Sequence, residues 1–311
     1  MLTVQALRLA HVQLVTAAVL FGITYTARAV LVHDVHPIVL TGLIFGIFTV
    51  FWAILYRPSW RKMGIFFRRH PGRVVGASGC SLSGTVLFTL ALGHLGAGVA
   101  IVLERLTPLA VLLLSAIFLK ERLPRRTVPW ILVALAASWG VSVKAWDTMT
   151  WDTVDGVGMG AMIGAVSLGA GGITLGRFLL KNTDLPVADF TVLRYALSTT
   201  LLVPVLVGLP SEAWTITLSP EKWALLIVVA TLVSGLATNL YFQGLRRVDA
   251  PTSSFLQMPT PLVGVLIGHF ALGENLSLFQ GVSMIFLLVA VYRIVRLGKP
   301  KKSPPIPTEE V

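Results

Sequence analysis

The sequence predicts an all-α integral membrane protein whose ten transmembrane helices form two inverted five-helix repeats. Three observations predict it. Apolar windows of about 20 residues recur along the chain, basic residues gather in short segments between alternate windows, and the second half repeats the first in register. Of 311 residues, 55% are hydrophobic and only 13% charged, with a mean hydropathy of +0.81. A soluble globule would carry about 25% charged residues.

In order, the windows fall at 9–31, 36–56, 74–93, 97–119, 127–144, 156–179, 187–208, 223–245, 252–273 and 276–295. Turn-forming stretches separate them, among them "HDVHP", "GHLGAG", "ERLPRR" and "TDLP". The first window exceeds a signal-peptide h-region of about 7–15 residues and is expected to remain as a helix. "MGIFF" at 63–67, set among Arg and Lys, reads as a short interfacial element on an anionic leaflet. The tail 297–311 is Pro- and Lys-rich and is expected to be disordered.

With both termini placed in the cytoplasm, 20 Lys and Arg residues fall inside and three outside, opposite seven outer acids. That asymmetry sets the orientation in a cytoplasmic membrane. It also explains the net charge of +11 without nucleic acid, since no continuous basic surface is expected. The lipid bilayer and a small-molecule substrate are the partners expected; oligomeric state is not encoded legibly. Cys80 has no partner and reads as a packed small hydrophobe.

A shift of 153 lays "TLALGHLGAGVAIVLERLTPLAVLLLSAIFLKERL" on "FQGLRRVDAPTSSFLQMPTPLVGVLIGHFALGENL" without a gap. Thr107, Pro108, Glu121 and Leu123 meet Thr260, Pro261, Glu274 and Leu276. A shift of 149 pairs Arg28 with Arg177 and Pro37 with Pro186. Each half has five windows, an odd number, so the second enters the membrane from the opposite side. The halves are 1–146 and 147–296. Inverted repeats of this kind are a hallmark of secondary transporters, whose substrate site lies near the midplane between halves.

These paired blocks resemble the signature of the EamA family in the drug/metabolite transporter superfamily. A small-residue turn leads into a helix with a central Pro and a terminator of the "KERL" or "GENL" kind. The likeness covers residues 10–296 and includes the Arg-aromatic pair Arg194 and Tyr195; helix two departs, with Phe45 and Gly46 at its equivalent places. It implies alternating-access transport, usually export of amino acids or related small metabolites. It leaves cargo and coupling open.

The candidate site centres on Glu104, an acid in an apolar run, which the repeat register sets opposite Gln257. With "GHLGAG" read as the turn between helices three and four, Glu104 falls well inside helix four. Pro108 and Pro261 lack the amide hydrogen that would bond the carbonyls of Glu104 and Gln257, and Pro259 does the same to Phe255. Irregular backbone at membrane depth is tolerated where it lines a cavity. Arg105, about 100° around a helix from Glu104, is not expected to face it. The sequence leaves three pairings of Glu104 open: with Arg105, with Arg194 or with neither.

Ser81, Thr85 and Phe88 recur as Ser234, Thr238 and Tyr241, one polar-aromatic face in both halves. Together with Asn239, Arg194 and Tyr25 they make up the expected substrate lining, while Glu104 is also the expected proton-coupling group. Cross-helix packing by hydroxyls is the structural alternative for this set, and Gln243, like Asn239, is an amide that needs a partner. The glycines Gly156, Gly160, Gly164, Gly172 and Gly176 form a packing stripe.

The expected function is secondary transport of a small metabolite, export of an amino acid or related amine by alternating access, with proton coupling as an option. A facilitative exchanger of another solute is the alternative. A scaffold or an integral-membrane enzyme is the alternative of another class. The six histidines are scattered and neither a Walker motif nor H-E-x-x-H occurs, so no catalytic residue, metal site or cofactor is expected.

Overall fold

The computed structural model describes residues 4–32, 34–121, 123–142, 155–181, 183–272 and 275–298. The expected repeat boundary at 146/147, Glu274 and the tail beyond 298 lie outside the described residues. The elements are α1 (Val4–Leu31), α2 (Pro37–Tyr56), α3 (Trp60–Arg69), α4 (Pro71–Glu104), α5 (Thr107–Leu114), α6 (Val128–Val141) and α7 (Gly156–Lys181). They continue as α8 (Val187–Val207), α9 (Pro220–Val228), α10 (Ser234–Arg247), α11 (Ala250–Phe255), α12 (Thr260–Leu272) and α13 (Leu278–Gly298). Wider π turns extend α5 over Ser115–Leu119 and join α9 to α10 over Val229–Val233. The strand-like pairing among the described residues is a single bridge between Val35 and Ile216.

Composition explains the helix ends. Proline at the start of α2, α9 and α11 gives up an amide hydrogen that had no helical partner anyway. Side chains of Ser59, Ser219 and Asp249 cap α3, α9 and α11 by accepting from the amides of Lys62, Lys222 and Thr252. Arg57 and Lys120 close α2 and the α5 extension in the left-handed conformation, at φ 43° and 57°. The segment around "MGIFF" forms α3 as expected from its pattern, burying Met63 and Phe66.

Seven described helices are long and apolar enough to cross a membrane, and Thr107–Leu119 adds a shorter apolar one. With α6 as span five and α11 and α12 as span nine, they make up the ten-helix inverted-repeat fold, α4 and α5 carrying spans three and four and α9, π turn and α10 carrying span eight. Pairing follows the repeat. The main interfaces are α4 with α7, α1 with α10, α2 with α8 and α6 with α13. Exchanging the halves turns the first pair into the second and each of the others into itself.

Two expectations about the middle of the first repeat are corrected. Helix is continuous from Pro71 to Glu104, through "GHLGAG", where a turn between two helices was expected. This stretch holds no proline and, apart from His94, no polar side chain, and the His94 ring engages Asp155 at 2.8 Å, not its own backbone. The helix ends where Pro108 withdraws the donor for the Glu104 carbonyl, so Glu104 closes α4 instead of lying inside a fourth helix. Ala100 and Leu103 pack in the same apolar cluster as Ala91, Leu95, Ala161 and Met162.

The glycine stripe of α7 is corrected in part. A Cβ added at Gly164 would meet Leu87 at 2.8 Å, and Gly172 lies against Ser81, but Gly156 and Gly160 face open space. Gly158, one residue off the expected stripe, packs against His94 and Leu95. The side of α7 that meets its neighbours therefore takes in Gly158 and leaves out Gly156 and Gly160. In α13 the helix persists to Gly298, into the segment expected to be disordered.

Candidate functional site

Both repeats break at one register. In the first, Arg105 and Leu106 interrupt the helix, and the Leu106 amide donates to Leu103 O at 3.0 Å in place of a regular helical bond. In the second, Leu256–Pro259 form turns between α11 and α12, longer because Pro259 adds a second missing donor to that of Pro261. The freed Gln257 carbonyl is recaptured: it accepts from the Thr260 amide at 3.0 Å and the Thr260 hydroxyl at 2.6 Å. It is therefore unavailable to a ligand, contrary to the sequence expectation. Gln257 Nε2 donates to Leu14 O of α1 at 2.9 Å, while its Oε1 is buried without a partner.

Glu104 pairs with its neighbour, Arg105 Nη2 to Glu104 Oε2 at 2.9 Å, and not with Arg194. The expected 100° separation holds only inside a regular helix; the break between the two residues lets their side chains converge. Glu104 Oε2 and Arg105 Nε lack a well-directed hydrogen bond. Arg194 is held elsewhere, by Ala77 O at 3.2 Å and by the Ser81 hydroxyl, with its guanidinium 4.9 Å from the Phe242 ring centre. Ser81 is thereby spent on Arg194, and Thr85 bonds back to Ser81 O at 2.9 Å.

Tyr25 gathers these groups. It is 52% exposed, stacks on Phe21 at 6.5 Å between centres, and lies within electrostatic reach of Glu104, Arg105, Arg28 and Tyr195. Tyr241 is 8% exposed, sits edge-on to Phe21 and has a hydroxyl without a partner. Tyr195 spends its hydroxyl on Thr238 at 3.0 Å and stacks on Phe48 at 3.8 Å.

Asn239 lies apart from this centre. Its amide donates to the Tyr56 hydroxyl, its Oδ1 accepts from Gln243 Nε2 at 2.8 Å, and Gln243 Oε1 accepts from Gln13 Nε2 at 2.6 Å. Asn239 and Gln243 line a cavity of about 590 Å³ with Tyr56, Val187, Arg246 and Arg247, toward the basic end of the bundle. The candidate residues thus divide between a middle group (Tyr25, Glu104, Arg194, Tyr241) and a vestibule group led by Asn239. Sequence reasoning missed Gln13, Tyr56 and Arg28. Gln13 carried a signal, being an amide inside an apolar window; Arg28 was hidden among the outer charges although it lies in the last turn of α1.

The EamA-like transporter family profile matches residues 8–143 and 156–296. A relative named as the riboflavin transporter ImpX of Fusobacterium nucleatum subsp. nucleatum is 22% identical over 214 residues, 68% of this chain and 70% of that protein. An uncharacterized transporter of Archaeoglobus fulgidus is 24% identical over 280 residues, 89% of this chain and 95% of that protein. A protein of solved crystal structure shares the fold with a TM-score of 0.73 at 18% identity, over 93% of this chain and 98% of its own. Two matched halves, paired helix breaks and cross-repeat pairing agree, and the chain belongs to the EamA-like transporter family.

Proposed function

We propose that this chain is a secondary exporter of an amino acid or related amine, working by alternating access in a cytoplasmic membrane with both termini inside. The halves 1–146 and 147–296 act as the two rocking units, and Glu104 is the proton-coupling group. The observation that carries this reading is the coincidence of broken helices, one of them beside the Glu104–Arg105 ion pair, with buried polar atoms that lack partners: Arg105 Nε, Tyr241 OH and Gln257 Oε1. Buried polar atoms cost free energy unless something satisfies them, and a polar solute visiting the site does so. Asn239 and Gln243 line a separate cavity with Tyr56.

A second reading has its own support. Tyr56, stacked on Trp52 at 4.5 Å, puts an aromatic side chain on the wall of the cavity, which suits a planar heterocycle such as the riboflavin named for one relative. The test is flux in proteoliposomes: radiolabelled amino acids, amines and riboflavin, each with and without a pH gradient. Gradient-driven movement of an amino acid or amine supports the first reading. Movement of riboflavin alone selects the second, and movement of none of them counts against both.

A further inference from the structure

A second cavity, of about 330 Å³, lies where α3 meets the loop between α7 and α8. Its α3 wall is Lys62, Ile65, Phe66 and Arg69, which recur at i, i+3, i+4 and i+7 and so share one helical face. His70 and the loop residues Thr183, Asp184 and Leu185 complete the lining. Both walls are held in place. Arg246 donates to Leu185 O at 3.3 Å and to Thr183 O at 2.6 Å, and the Leu185 amide donates to the Thr183 hydroxyl at 3.0 Å. On the other side Phe66 is buried and meets the ring of Phe190 in α8 edge-on at 6.3 Å.

Two permanent cations and His70 thus share the cavity with one carboxylate, Asp184, and with the apolar Ile65 and Phe66. The charge extends past the rim, since Arg61 and Arg68 are exposed on the same helix. Trp60 and Ile65 are exposed there too, by 64% and 44%. Tryptophan and aliphatic side chains set among arginines suit a helix at the boundary of headgroups and acyl chains. Connectivity puts α3 at that boundary, because it joins α2 to α4, two helices that can cross a membrane. A free inorganic anion has no use for Ile65 and Trp60, and a neutral lipid has none for Lys62 and Arg69. A lipid with a net negative headgroup uses both.

We propose that this cavity binds the headgroup of an anionic phospholipid, with Lys62 and Arg69 receiving the phosphate and Ile65 and Trp60 meeting the glycerol and the first methylenes. α3 belongs to the first repeat and the loop to the second, so one bound headgroup touches both. The site goes beyond the transport reading and depends on neither cargo nor coupling.

The test is native mass spectrometry of the purified full chain in neutral detergent, titrated at fixed ionic strength with phosphatidylglycerol or phosphatidylcholine of the same acyl chains. Phosphatidylglycerol is expected to bind about tenfold more tightly, the scale of two basic side chains at an anionic headgroup. Lys62→Gln combined with Arg69→Gln should erase that margin. The charge-matched control, Arg125→Gln combined with Arg126→Gln, changes two arginines exposed just before α6 and should keep it. Equal affinities of the wild type for the two lipids overturn the proposal, and that comparison needs no variant. So does a margin that survives loss of Lys62 and Arg69, or one that the control removes equally, since charge anywhere on the basic side would then suffice. Inorganic phosphate at matching concentration should leave the bound phosphatidylglycerol in place; displacement would make the site one for a free anion and overturn the lipid assignment. No flux is measured, so failed transport in proteoliposomes would defeat the transport reading without altering this result.

Discussion

Arg177 of the second repeat and Glu121 of the first form an ion pair at 3.1 Å, with both side chains about nine-tenths buried. Glu121 Oε2 also accepts from the Ala250 amide at 2.9 Å, and Arg177 reaches the carbonyls at the end of α10. One pair therefore joins the end of α5, α7 and the turn between α10 and α11 across the repeat boundary. Removing one member strands the other, at a cost of about 3–5 kcal/mol. Glu121→Gln and Arg177→Gln are each expected to lower the unfolding temperature in detergent, and the double variant to lose less than the sum of the two. Strict additivity would show that the pair does not act as a unit.

Close approach at one glycine gives a second test. A Cβ at Gly22 of α1 would lie 2.6 Å from Thr260 O, at the start of α12, and 2.5 Å from the Val263 Cβ. Neither neighbour is the flexible end of a side chain, so Gly22→Ala should destabilise by about 1–3 kcal/mol. Gly160, which meets nothing within 4 Å, is the control. Gly160→Ala should be neutral or stabilising, by up to about 1 kcal/mol from helix propensity. Thermal unfolding of the two variants measures the contrast.

Asp155 predicts a pH effect. The Gly158 amide at 2.5 Å, and then the His94 ring at 2.8 Å, hold its carboxyl below the ordinary value near 3.8. A depressed pKa in the folded state means that the contact stabilises above the unfolded value and is lost as pH falls through the folded one. The difference in melting temperature between wild type and Asp155→Asn should therefore be present at neutral pH and shrink on acidification below the carboxylate range. A difference independent of pH would contradict the assignment.

Glu104→Gln tests coupling. The amide preserves shape and still bonds Arg105, but it cannot titrate. If Glu104 carries the coupled proton, the variant loses the pH-gradient dependence of transport while substrate exchange persists, and Glu104→Asp keeps part of the dependence. Normal gradient dependence in Glu104→Gln would confine the residue to binding or structure.

The fold was legible because its signals are collective: windows of apolar residues, the sign of the intervening charges, and a repeat carrying Pro108 onto Pro261. The register of that repeat also located both helix breaks. Side-chain outcomes were less legible because they depend on local backbone. "GHLGAG" looked like a turn, yet nothing in it competes with helical hydrogen bonding. Glu104 and Arg105 looked incompatible because a regular helix was assumed where Pro108 ends one. The Gln257 carbonyl looked free because the recapture by Thr260, three residues on, is a tight-turn contact with no sequence period. Arg28 looked like a loop charge, yet it lies in the last turn of α1.

The central claim is that the two halves cross the membrane in opposite senses and both termini face the cytoplasm. Side-specific labelling tests it most directly. In a Cys80→Ala background, cysteines placed singly at Ser211 and Ser303 are exposed to an impermeant thiol reagent in intact cells and then in inverted vesicles. Labelling of the Ser211 position from outside and the Ser303 position from inside is the predicted result. Labelling of both positions from the same side would contradict the account.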